Sequence, residues 1–128
     1  MEDHPFFAQK AIKEGRELSP LMQGIQDLKY SPDENTPEEL AKNYKDDGNF
    51  NFKCKKYRFA VASYSEGLKH KCSDELLNTQ LLTNRAASQF HVGNYRSALM
   101  DCRVALKKTP AHVKALVRGA ECCIKLKR

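Results

Sequence analysis

Five side chains of this 128-residue sequence stand at spacings suited to holding an anion. Lys45 and Asn49, in "KDDGN", are four residues apart, and so are Lys114 and Arg118, in "KALVR". On a helix each pair shares one face, one turn apart. Asn84, in "TNRAAS", stands one sequence repeat before Arg118. Lysine and arginine offer charged N–H donors and asparagine adds amide donors without further charge, so carboxylate is the fitting counterpart. Catalysis has no comparable signature: Ser, His and Asp occur but form no recognisable motif, and the chain reads as a non-enzyme. Cys54, Cys72, Cys102, Cys122 and Cys123 form no CxxC pair and are odd in number, which argues against structural disulfides or a zinc site. A redox pair at Cys122 and Cys123, or half a metal site at His70 and Cys72, is less favoured than small buried thiols in a reduced protein. No cofactor and no metal are expected.

The charge is divided along the chain. Residues 1–40 hold 9 acidic and 4 basic residues, whereas residues 41–128 hold 7 acidic and 18 basic ones, so the overall +6 conceals an acidic start and a strongly basic remainder. The basic part calls for an anionic partner, either an acidic peptide or a nucleic acid. No apolar run reaches the length of a membrane span, and "MEDHPFF" lacks the basic start and apolar stretch of a secretory signal. The expected compartment is the cytoplasm, with the nucleus as a second possibility, and no membrane partner.

The elements that must position these residues are helices. "SPLMQGIQDLKY" offers Ser19 as a cap, Pro20 at the first helical position, and Leu21, Ile25 and Leu28 at helical spacing, which predicts one short amphipathic helix in an N-terminal extension over 1–35. Thr36-Pro37-Glu38-Glu39 is a capping box with proline at the first position, opening a domain over 36–128. Asp47-Gly48-Asn49 looks locally like a hairpin turn, yet it falls inside the helix that this box starts.

Self-alignment explains that glycine. "YRFAVASYSEGLK" at 57–69 and "YRSALMDCRVALK" at 95–107 superpose at a shift of 38, which matches Ala60 with Ala98 and places Gly48 on Ala86. A further shift of 34 carries Ala86 to Ala120 and Asn84 to Arg118. A small residue thus recurs once per unit, where two helices approach closely, despite the cost of glycine in a helix of about 1 kcal/mol relative to alanine. The unit is helix, turn, helix, with helices expected near 37–53, 57–70, 74–91, 95–108 and 110–126, the last capped by Thr109 with Pro110 following.

This pattern resembles the tetratricopeptide repeat over about residues 41–128, with departures: there is no Trp, Asp47 stands where an apolar residue is usual, Gln89 where an aromatic is usual, and Gly67 and Cys72 replace Ala and Pro. The resemblance implies an all-α fold of helical hairpins stacked into a right-handed superhelix, two and a half repeats here, with the first helices lining a concave groove. Within that family Lys45, Asn49, Asn84, Lys114 and Arg118 resemble the two-carboxylate clamp of chaperone-binding domains, which hold the C-terminal Glu-Glu-Val-Asp of heat-shock proteins 90 and 70. By that resemblance Lys45, Asn49 and Asn84 take the terminal main-chain carboxylate, and Lys114 and Arg118 take the aspartate side chain and upstream peptide. "SPDENTPEELAKNYKDDGN", "SYSEGLKHKC", "TNRAASQF" and "NYRSAL" are most similar to the tetratricopeptide repeat protein 4 family of heat-shock protein 90 co-chaperones. Members of that family continue beyond the third repeat into a further domain, so the chain is expected to be a fragment.

The leading expectation is therefore a co-chaperone adaptor for the tail of heat-shock protein 90, with that of heat-shock protein 70 as a second partner. A scaffold for another acidic peptide differs from it in not requiring a free terminal carboxylate. An RNA-binding helical repeat is less favoured: the groove lacks a set of aromatics for stacking bases, and no nucleic-acid partner is expected.

Overall fold

A computed structural model describes residues 27–127. Among them, after helical residues 27–29, five helices follow in series: α1 (Pro37–Lys53), α2 (Tyr57–Lys69), α3 (Glu75–Val92), α4 (Tyr95–Lys108) and α5 (Val113–Leu126). No strand occurs among the described residues. Of the helix predicted in the N-terminal extension, Ser19, Pro20, Leu21 and Ile25 lie outside the described residues, while residues 27–29 are helical, with Leu28 exposed. Residues just before α1 dock onto it: the Tyr30 ring lies 4.4 Å from that of Tyr44, and the Asn43 amide donates to the Lys29 carbonyl at 3.0 Å.

Local chemistry sets most boundaries. The Thr36 hydroxyl accepts from the Glu39 N–H at 3.1 Å while the Glu39 carboxylate accepts from the Thr36 N–H at 2.7 Å, the reciprocal box expected at the start of α1. Asp74 caps α3 by accepting from the Leu77 N–H, and Gly93, at φ 103°, closes it in the left-handed conformation that glycine adopts at least cost. The start of α5 differs from expectation. His112, not Thr109, is its cap, its Nδ1 accepting from the Ala115 N–H, and the helix begins at Val113. Thr109 instead ends α4 with its hydroxyl 3.3 Å from that of Thr79 on α3, and Pro110 sits in the intervening turn.

The helices form two hairpins, α1 with α2 and α3 with α4. The α2 helix packs on α3 and α4 on α5, whereas α1, α3 and α5 touch one another only lightly. The core lies between successive helices. Ala60 and Ala98, matched in the sequence repeat, are both fully buried, as is Ala86. Gly48 meets the ring of Tyr64: a Cβ built there would stand 2.7 Å from Cδ1 and 2.8 Å from Cζ, so only glycine lets α1 and α2 come this close. The unusual Asp47 accepts a 2.6 Å bond from the Ser63 hydroxyl on α2. Arg85 on α3 grips Asp101 on α4 through two bonds of 2.8 and 2.7 Å and donates a third, of 3.0 Å, to Ser65 on α2. One guanidinium thereby ties three helices together. Cys72, Cys102 and Cys122 are buried and Cys54 and Cys123 exposed, all as free thiols.

Candidate peptide-binding groove

Because α1, α3 and α5 are held apart by the helices behind them, their facing sides enclose an open groove. It consists of two adjoining hollows of about 580 and 490 Å³, which share Asn49, Asn84, Val113 and Lys114. Lys45 lines the smaller hollow and Arg118 the larger. All five residues singled out in the sequence therefore line one groove, contributed by three helices. Helical periodicity explains this: Lys45 and Asn49 share a face of α1, Lys114 and Arg118 share one of α5, and Asn84 lies on α3 between them.

Neighbouring side chains set the orientation of the five. The Lys45 ammonium donates to Gln80 Oε1 at 3.0 Å. Asn49 Oδ1 accepts from the Tyr64 hydroxyl at 2.6 Å and from the Asn84 amide at 3.2 Å. The Arg118 guanidinium lies 4.9 Å from the centre of the Phe90 ring, a cation–π contact, and pairs with Glu121, about one turn along its own helix, at 3.1 Å. Burial, reinforced by the charge of Asp47, pushes the Tyr64 hydroxyl well above the ordinary tyrosine range, so it stays protonated and donates.

The groove also contains residues not singled out from the sequence. Lys53, four residues beyond Asn49, adds a cation to the larger hollow; Phe52, Ala87, Val113 and Val117 give it apolar walls. Gln80 and His112 line the smaller one. Lys53 and Gln80 continue the same four-residue spacing from Asn49 and Asn84, a signal available in the sequence. His112 has none, because Thr109-Pro110 predicts a start of α5 before it. No carboxylate lines either hollow among the described residues. Among those residues there is also no group of three or more His, Cys, Asp or Glu able to hold a metal ion, and no helix long and apolar enough to cross a membrane.

Comparisons with known proteins agree with this architecture. No family model matches the chain. A fruit-fly protein, "DNA polymerase interacting tetratricopeptide repeat-containing, protein of 47 kDa" (Drosophila melanogaster), is 45% identical over the whole chain, which covers 32% of that protein. Human tetratricopeptide repeat protein 4 is 57% identical over 95 residues, 74% of this chain and 24% of the human one. Among solved structures, the Hsp90 co-chaperone Cns1 from Saccharomyces cerevisiae matches with a TM-score of 0.70 and 37% identity, over 72% of this chain and 30% of Cns1. The chain thus spans about a quarter to a third of the length of these relatives. Two stacked helical hairpins and a fifth helix, with small residues at their crossings, belong to a tetratricopeptide-repeat protein, a relative of tetratricopeptide repeat protein 4 and of the Hsp90 co-chaperone Cns1.

Proposed function

We propose that the chain is a non-enzymatic co-chaperone adaptor whose groove binds the acidic C-terminal Glu-Glu-Val-Asp tail of heat-shock protein 90, with the tail of heat-shock protein 70 as a second ligand. One observation carries this reading: Lys45, Asn49, Asn84, Lys114 and Arg118, from three helices, line a single groove that no carboxylate lines among the described residues. A C-terminal aspartate presents two carboxylates on one residue. Lys45 with Asn49 and Asn84 on one side, and Lys114 with Arg118 on the other, supply charge-assisted hydrogen bonds to both. The relatives described as co-chaperones of Hsp90 support the choice of ligand.

The test is calorimetric titration with a short peptide ending in Glu-Glu-Val-Asp and with its C-terminally amidated copy. The free acid binds in the micromolar range, where a few ion pairs offset the cost of immobilising a short peptide, and the amide binds several-fold more weakly. Lys114→Glu abolishes binding and leaves the circular dichroism spectrum unchanged, since Lys114 is exposed on the groove face of α5. Equal affinity for the two peptides would refute the clamp.

A further inference from the structure

The clamp reading requires Asn49 to act as a donor, yet an asparagine amide is two-sided: turned one way it donates to a carboxylate, and turned the other way it accepts from a carboxamide. A freely turning Asn49 would therefore discriminate poorly between a terminal acid and its amide. Two bonds remove that freedom. The Tyr64 hydroxyl reaches Asn49 Oδ1 at 2.6 Å from α2, and the Asn84 amide reaches the same oxygen at 3.2 Å from α3. With both donors on Oδ1, the Nδ2 group is left to address the ligand.

We infer that Tyr64 is a positioning residue of the groove: its hydroxyl locks the Asn49 amide with its N–H groups free for a ligand, and thereby makes the site select a carboxylate over a carboxamide. Several features make Tyr64 suited to this. It is 1% exposed, so its ring is held by the core and its hydroxyl has no freedom to wander. It can lie beside α1 only because residue 48 lacks a Cβ. Burial and the charge of Asp47 raise its pKa, which keeps the hydroxyl protonated, and so a donor, at neutral pH. A carboxylate offers two accepting oxygens to donors presented this way; a terminal carboxamide offers one, so with Lys45, Asn49 and Asn84 all donating, its NH2 group is set against a donor.

The inference rests on the clamp reading, and the experiment separates the two. The whole chain and its Tyr64→Phe variant, which keeps the ring and removes the hydroxyl, are titrated with the free-acid and amidated peptides. The wild type prefers the acid. In the variant, affinity for the acid falls about three- to tenfold, the effect of one misdirected hydrogen bond, while affinity for the amide changes less than about twofold, so the preference shrinks. A wild type without preference overturns the clamp and this inference with it. A wild type that prefers the acid, beside a variant that weakens both peptides equally or keeps the full preference, overturns this inference alone. A second measurement needs no variant. The assigned side-chain amide resonances of Asn49 in the wild type shift on adding the acid, and shift less at equal saturation with the amide; resonances unmoved by the acid, or moved equally by both, overturn the role given to Tyr64.

Discussion

At Gly48 the packing of the core and the geometry of the groove meet in a single missing methyl group. Alanine in its place gains about 1 kcal/mol of helix propensity. It also drives a Cβ into the Tyr64 ring, an overpacking that typically costs 1–3 kcal/mol or more, so Gly48→Ala is expected to lose roughly 1 kcal/mol net in urea unfolding. Because the displaced ring carries the hydroxyl bonded to Asn49, the same change is expected, on the proposed function, to weaken binding of the free-acid peptide as well. The cysteines divide as sharply. In the native protein a thiol reagent modifies Cys54 and Cys123 within minutes and leaves Cys72, Cys102 and Cys122 intact until unfolding. Burial pushes the Cys102 thiol from 9.0 up to about 11, so the folded chain keeps a proton that the unfolded chain releases. Its contribution is complete below pH 9 and declines as the pH rises from 9 to 11. Denaturation at pH 8 and pH 10.5 measures the loss, and Cys102→Ala has a shallower pH dependence over that interval.

Between helices, the strongest specific tie is Arg85 with Asp101, whose side chains are 23% and 9% exposed. Asp101→Ala strands the guanidinium between α2, α3 and α4, and is expected to cost roughly 3 kcal/mol, read as a lowered urea midpoint with unchanged slope. Ala98→Glu, which forces a carboxylate into a fully buried contact, destabilises the fold strongly, whereas Lys114→Glu on the groove face leaves it intact. These pairs also show what the sequence makes legible. The start of α1 follows from the reciprocal Thr36 and Glu39 bonds, which are local, and the register of Gly48, Ala60 and Ala98 follows from repetition. From that register alone the five groove residues fall on facing helices. The start of α5 was not legible, because Thr109-Pro110 has the form of a cap and first residue, and only the contact with Thr79, thirty residues away in sequence, gives that hydroxyl another partner. The bond from Tyr64 to Asn49 was hidden for a similar reason: the two residues lie fifteen apart on different helices, and nothing local shows that the Tyr64 hydroxyl emerges at the groove.

For the molecule as a whole, packing is unequal from one end of the series to the other. The α2 helix is covered by α1 and α3, whereas α5, among the described residues, rests on α4 and lightly on α3. The outer side of α5 leaves Leu116 49% and Ile124 67% exposed, with Ala120 and Cys123 beside them. Amide hydrogens of α5 are therefore expected to exchange faster than those of α2 under native conditions; equal protection would mean that α5 is covered by something other than the described helices. Two of the five groove residues, Lys114 and Arg118, ride on this least supported helix. Warming from the cold then takes the protein through a range in which α1 to α4 still hold their hairpins while one wall of the groove has lost its shape. On the proposed function, grip on the peptide is expected to fail several degrees before the fold does, so that affinity followed against temperature breaks downward while helix content is still nearly complete, and recovers on cooling because the hairpins that template α5 never came apart.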